Sequence, residues 1–281
     1  MYNVYFNLYE ISLFLQLAVC IPHAWKHGKA NLLRLLAGIL FGVMLELATI
    51  RQLHAYEYGQ FIVMVLDVPL GIGVAWGCIL YSVMEFSDAS SLPYWARPVL
   101  DGLLALNIDL SLDAVAIRFG FWDWGQGLNF QYFGVPYANF WGWFWVIFFF
   151  SLGYRLFARR KDWVGTWLSP VLALVVGLAG VLATNALITF VVPAEYRWLI
   201  VAITLSAALI FTIVQRPKFY LTPVPSLTFW VPFITHLYVL MAGLIAGVIL
   251  DPPFLLLVGL VMITIAFYLH WPTVRNIIKS T

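Results

Sequence analysis

Residues 168–192 read LSPVLALVVGLAGVLATNALITFVV, an unbroken run without one charged side chain. A helix needs about 20 consecutive apolar residues to cross the hydrocarbon core of a bilayer, and a water-soluble domain carrying such runs would expose large apolar patches. Outward from this stretch the same character repeats. Residues 5–21, 32–53, 61–86, 98–119, 140–157, 199–214, 229–250 and 254–270 are further apolar segments near spanning length. The composition agrees: 63% hydrophobic residues, 10% charged residues and a mean hydropathy of +0.92 exclude an ordinary soluble domain. The expected fold is all-α, a polytopic transmembrane helical bundle of about nine spans forming a single membrane domain over residues 1–281. The earliest Lys is Lys26, so the first segment has no basic stretch ahead of it and reads as a permanent helix, not a cleaved signal.

Short cytoplasmic loops collect Lys and Arg. Lys26, Lys29, Arg34, Arg97, Arg155, Arg159, Arg160, Lys161, Arg216, Lys218, Arg275 and Lys279 fall on one side of a nine-span arrangement, and only Arg51, Arg118 and Arg197 on the other. This places the N-terminus outside and the C-terminus in the cytoplasm, as expected of a multi-pass protein of the cytoplasmic membrane. Residues 155–161 read as the cytoplasmic anchor of the fifth helix. No basic block is long enough to suggest nucleic acid.

Four carboxylates interrupt the apolar segments: Glu46, Asp67, Asp109 and Asp113. An ionised carboxyl at the centre of a bilayer costs roughly 3 kcal/mol or more. With the orientation above, all four lie in the middle or outer half of the membrane, Asp67 within the first turns of the third helix. Asp109 and Asp113 are spaced i, i+4 and share a helix face. Gly38, Gly42 and Glu46 share another, the kind of small-residue face on which a second helix packs. Pro69 should loosen the backbone after Asp67 and open carbonyls toward a polar cavity. A purely structural role, with Arg118 neutralising Asp113, is the simpler reading of any single acid, but four acids at one depth favour chemistry. Glu10, Glu57, Asp101, Asp123 and Asp251 fall nearer segment ends and read as solvated.

Just beyond Asp113, residues 119–145 read FGFWDWGQGLNFQYFGVPYANFWGWFW. Trp and Tyr gather at membrane interfaces as anchors. An anchoring belt does not account for the turn-forming Gly125, Gly127, Gly134 and Pro136 or the polar Asn129, Gln131 and Asn139 between them. Flat aromatic faces with polar tips at Trp122, Trp124, Tyr132, Tyr137, Trp141 and Trp143 suit a lid over a long apolar ligand with one reacting end.

Other chemistries have no residues to rest on. Cys20 and Cys78 lie at opposite depths in this topology and lack a CxxC spacing, so neither a disulfide nor a zinc site is expected. His23, His27, His54, His236 and His270 are scattered, and there is no phosphate-binding glycine loop or nucleophile elbow.

The series Glu46, Tyr58-Gly59-Gln60-Phe61, Val68-Pro69-Leu70, Trp76, Asp109 to Asp113, Trp122-Asp123-Trp124, Tyr132-Phe133-Gly134-Val135-Pro136 and Asn139-Phe140-Trp141-Gly142-Trp143 resembles the membrane-embedded carotenoid biosynthesis protein family, which includes hydratases acting on gamma-carotene and on bisanhydrobacterioruberin. The resemblance covers residues 40–150, which mark the expected catalytic core, while 163–281 agree only as an apolar helical bundle. Asp113-Ala114 departs from an expected Asp-Pro pair. The resemblance implies addition of water across the terminal 1,2 double bond of an acyclic carotenoid or related long isoprenoid, without an organic cofactor or metal.

Such a reaction needs a strong proton donor at one alkene carbon and water at the other, with a tertiary cation between. Burial away from water favours the neutral form of a carboxyl, which can then act as general acid. Asp109 or Asp113 is the expected acid, and Glu46 or Asp67 the expected water-orienting base. Trp122, Trp124 and Tyr132 are expected around the cation, with Tyr58, Asn139 and Trp143 completing the substrate contacts. A proton-coupled transporter or a non-catalytic pigment-binding membrane protein would use intramembrane acids or the aromatic lid differently. The transporter reading requires polar residues to continue through the inner half, where Asp101, Thr184, Asn185 and His236 stand between apolar runs.

Overall fold

The computed structural model describes residues 4–53 and 55–280, so His54 lies outside the described residues. The described residues form nine α-helices: α1 (Val4–Lys26), α2 (Lys29–Leu53), α3 (Leu70–Asp88), α4 (Arg97–Phe119), α5 (Tyr137–Arg155), α6 (Ser169–Ala186), α7 (Arg197–Val214), α8 (Leu227–Ala246) and α9 (Phe254–Ser280). Seven helical stretches are long and apolar enough to cross a membrane, namely Val4–Lys26, Lys29–Arg51, Leu70–Asp88, Val164–Val191, Ala194–Val214, Leu227–Ala246 and Phe254–Lys279. The protein is thus a multi-pass membrane protein. The helices outside that set are α4, which carries Asp101, Asp109 and Asp113, and α5, which is rich in Trp and Tyr.

Those two helices occupy the interior. α4 touches α3, α5, α7, α8 and α9, and α5 packs along α6. α3 is buried over most of its length, whereas α6, α7 and α9 present most of theirs to the surroundings, so the peripheral helices supply an apolar coat for a more polar centre. α2 docks on α3 through the expected small face. A Cβ placed on Gly38 would lie 3.0 Å from Gly77 Cα, and one on Gly42 only 2.5 Å from Trp76 Cβ. These glycines let Trp76 come within reach of Glu46, one turn further along α2.

Two small antiparallel ladders close one end of the bundle. β1 (Glu57–Tyr58) pairs with β4 (Trp122–Asp123), joining the α2–α3 loop to the aromatic loop, and β2 (Met64–Val65) pairs with β3 (Val68–Pro69) as a hairpin. The hairpin corrects the expected third helix, which begins at Leu70, with Pro69 extended at its N-cap. Residues 61–69 are not helical because their amides bond elsewhere: Ile62 N and Val63 N donate to the Glu10 carboxylate at 2.7 and 3.1 Å. Glu10, expected to be solvated, is buried in that role.

The opposite end is held by ion pairs. Arg155 pairs with Asp88 and, at 3.2 Å, with Asp101, while Arg97 meets Asp88 at 2.8 Å and Arg34 pairs with Glu85. Asp101 is fully buried and accepts from Ser151 Oγ at 2.6 Å, so it is not solvated. Arg155, expected to be a membrane-surface anchor, turns into the bundle because those partners are there. Cys20 and Cys78 are also placed otherwise than expected. The two free, buried thiols are neighbours across α1 and α3.

Candidate active site

Beneath the β1–β4 ladder lies a cavity of about 340 Å³. Its polar lining is concentrated at the laddered end, in Glu46, Tyr56, Tyr58, Asp113, Trp124 and Asn139, and its deeper wall is apolar, formed by residues such as Leu13, Ile72, Ile79 and Val146.

Asp109 and Asp113 project from α4 one turn apart, and both are buried, at 0% and 3% exposure. Asn139, in the first turn of α5, donates its amide to both: at 3.1 Å to Asp109 Oδ1, at 3.2 Å to Asp109 Oδ2 and at 2.7 Å to Asp113 Oδ2. The shared donor brings the two carboxyl groups side by side. Asp113 lines the cavity, and its Oδ1 has no hydrogen-bond partner among the described residues. Asp109 stands behind it, outside the lining.

Glu46, at 4% exposure, sits across the cavity and is held by three neutral donors. Trp76 Nε1 donates to Oε1 at 2.7 Å, Tyr58 OH donates to Oε2 at 2.9 Å, and Tyr56 OH donates to Oε2 as well. Burial, reinforced by the Glu46 charge, pushes the Tyr56 and Tyr58 phenols well above their ordinary range, so both remain protonated donors. Among the described residues, none of Glu46, Asp109 and Asp113 is in an ion pair. Arg118 does not neutralise Asp113, since it donates to the carbonyls of Ala114, Phe133 and Asp251 and so ties down the aromatic loop.

The aromatic lining is built by the ladder and by α5. Trp122 and Trp124 flank Tyr58 and Tyr56 edge-on, with ring centroids 6.0 and 4.6 Å apart, and Trp143 packs on Trp76 at 4.4 Å. The Trp124 Nε1 is buried and has no hydrogen-bond partner among the described residues.

A family model described as carotenoid biosynthesis protein matches residues 7–214. The chain belongs to that family. No curated protein and no solved structure matches it significantly. A carotenoid biosynthesis protein has a role in making carotenoids, and its apolar helices fit an isoprenoid substrate within a bilayer. The matched residues of this carotenoid biosynthesis protein include Glu46, Asp109 and Asp113 and all of the cavity lining except Thr235.

Of the site residues expected from sequence, the fold gathers Glu46, Tyr58, Asp113, Trp122, Trp124, Asn139 and Trp143 around this cavity, with Asp109 directly behind. Two stand elsewhere. Asp67 lies in the β2–β3 turn, its side chain 54% exposed and paired with Arg51 at 2.8 Å, because the chain turns as a hairpin where a helix was expected. Tyr132 is outside the lining. Its OH donates to Leu110 O at 2.9 Å and its ring meets the edge of Phe140, so the polar tip that suggested a ligand contact serves the backbone instead. Tyr56 and Tyr9, by contrast, line the cavity without having been singled out. Tyr56 had a signal in its i, i+2 spacing from Tyr58, since alternate residues of an extended strand face the same side. Tyr9, on a helix with no other cue, had none.

Proposed function

We propose that the protein is a carotenoid hydratase, a hydro-lyase that adds water across the terminal 1,2 double bond of an acyclic carotenoid end group. The observation that carries this reading is the Asp109–Asp113 pair. Two carboxyl groups that share the Asn139 amide, away from any cation, are most easily accommodated with one proton between them, and Asp113 lines an aromatic, largely apolar cavity.

In this mechanism Asp113 gives the shared proton to C2 of the alkene, and the pair of π electrons forms the new C–H bond. The positive charge left at C1 is tertiary and lies among the faces of Trp122, Trp124 and Trp143. Water adds to C1, and its surplus proton passes to Glu46, whose three neutral donors keep its carboxylate oriented without cancelling its charge. Transfer of that proton back to the aspartate pair restores the starting state, so the sum is alkene plus water giving a tertiary alcohol. The acids of this scheme all fall within residues 40–150, while α1, α6 and α8 complete the walls.

The proposal includes nine spans. At 1.5 Å per residue, the 23 residues of α4 make about 35 Å, enough for the hydrocarbon core of about 30 Å. The N-terminus is then outside, the C-terminus cytoplasmic, and the cavity in the outer half of the cytoplasmic membrane. Gln126→Cys should react with an impermeant thiol reagent added to intact cells and Lys161→Cys should not; the reverse pattern would invert the orientation.

The reaction is tested by producing the protein in cells that accumulate lycopene or gamma-carotene and weighing the pigments. Hydration adds the mass of one water and makes the product more polar. An isomer of unchanged mass, or a prenylated product, would assign the cation to a different reaction.

A further inference from the structure

The cavity lining reaches exposed residues at the start of α5, Ala138, and at the end of α6, Thr189. α2 and α6 touch where Gly177 meets Phe41, so closely that a Cβ on Gly177 would lie 2.7 Å from Phe41 Cε2. About one turn nearer the ladder, Leu45 of α2 and Val181 of α6 both line the cavity, and beyond them come Thr49 on one side and Asn185 and Thr189 on the other. Burial changes along this path. Glu46 and Asp113 are shut in, Thr49 and Asn185 are half-buried, and Thr189 is exposed. Thr189 belongs to a π-helical turn, Leu187–Val191, that ends α6; such turns widen a helix locally and recur at functional sites. Its neighbours Leu187 and Phe190 are 46% and 81% exposed, as residues facing lipid are. One continuous space therefore runs from the acids to the lipid-facing flank of the bundle.

We infer that the seam between α2 and the π-helical end of α6 is a lateral portal: the end group of the polyene passes through it from the bilayer, and the rest of the molecule stays in the seam and the adjoining lipid while the terminus reacts. The inference rests on the reading that the substrate is a long acyclic carotenoid. The cavity size supports it. About 340 Å³ is near the lower end of the range of ~300–1,000 Å³ that holds drug-sized ligands, which suits a branched end group and leaves no room for eight isoprene units. The portal also spares an extended hydrocarbon from crossing water, because its unreacted length remains in an apolar medium throughout.

A reversible plug tests the portal without a folding ambiguity. Thr189→Cys, purified in detergent, is treated with a bulky methanethiosulfonate reagent, offered lycopene in mixed micelles, and assayed for retained pigment by absorbance and for conversion by mass. The same is done for Val175→Cys, an exposed position on the far part of α6. The portal predicts that the plugged Thr189→Cys protein loses retention and conversion by about tenfold or more, the scale at which a misplaced substrate stops reacting, that reducing the mixed disulfide restores both, and that plugged Val175→Cys behaves like the parent. Parental retention by plugged Thr189→Cys would overturn the portal. If the parent retains lycopene without hydrating it, the hydratase reading falls, and retention alone still decides the portal. A parent that neither retains nor converts lycopene overturns both.

Discussion

At the end of the bundle away from the ladders, Arg34, Arg97 and Arg155 hold Glu85, Asp88 and Asp101. At the laddered end Glu46, Asp109 and Asp113 are as buried as Asp101 but meet only tyrosines, tryptophan and an asparagine. The first cluster pairs every acid with an arginine, and Ser87 and Ser151 add hydrogen bonds to Arg155 and Asp101. None of these residues lines the cavity at the laddered end. The second has no arginine, and two of its acids, Glu46 and Asp113, line a cavity. Burying a carboxylate is tolerable when an arginine comes with it and costly when none does. In the proposed mechanism the unpaired acids are the reactive ones, while the paired acids hold helices together.

The largest expected effect separates the clusters by activity. Asp113→Asn keeps the shape and the Asn139 contact but cannot deliver a proton, so hydration should fall by the ~10²–10⁴-fold typical of a lost general acid, with the detergent melting temperature nearly unchanged. Asp109→Asn should fall comparably, because the amide leaves Asp113 without its shared proton. Full conversion by both variants would move the chemistry elsewhere.

The next effect separates them by stability. Arg155→Leu strands Asp101, while Asp88 keeps Arg97, and breaking a buried pair in this way costs about 3–5 kcal/mol. The expected outcome is a large loss of folded protein, partly recovered by adding Asp101→Asn, while the molecules that do fold hydrate at the parental rate. If turnover per folded molecule drops as it does in Asp113→Asn, the two clusters are functionally one.

Much of this contrast was legible in the sequence, and its gaps have one cause. Apolar run length located all nine helices, and the i, i+4 spacing put Asp109 and Asp113 on one face. Partner identity was not legible, because burial was judged from position along the segment. Glu10 and Asp101 sit near segment ends and read as solvated, yet each is buried by a partner distant in sequence: the amides of Ile62 and Val63 for one, Arg155 for the other. Asp67 failed in the opposite direction. An apolar stretch from Phe61 read as the start of a helix, while the Glu10 contacts that make it a hairpin lie 50 residues upstream. The cysteines show the same limit, since their depths depend on how α1 and α3 align.

A smaller effect concerns how Glu46 is held. Tyr56→Phe or Tyr58→Phe removes one hydrogen bond to a charged group, worth about 1.5–3 kcal/mol, and should lower conversion without abolishing it. The pH dependence has a definite sign. The folded state keeps both phenols protonated at pH values where the unfolded chain ionises, at about pH 10. Their contribution to stability is thus complete below about pH 10 and is lost as pH rises above it. Thermal melts of the parent should fall more steeply above that pH than melts of the Tyr56→Phe/Tyr58→Phe double variant. Equal slopes would mean that the tyrosines are not buried against Glu46.

The smallest effect is expected at Asp67, the acid that sequence alone would group with the other three. It is half exposed and its partner Arg51 is 53% exposed, so the pair is worth only about 0–1 kcal/mol and weakens with salt. Asp67 also lies outside the cavity lining, which leaves it no route to the reacting atoms. Asp67→Asn should therefore change pigment conversion by less than the roughly fivefold that 1 kcal/mol represents, and raising the salt concentration should shrink the difference further. A loss on the scale of Asp113→Asn would mean that the β2–β3 hairpin closes over the cavity during turnover. The division between paired and unpaired acids would then have to be redrawn, with an exposed, arginine-bound carboxylate on the reactive side.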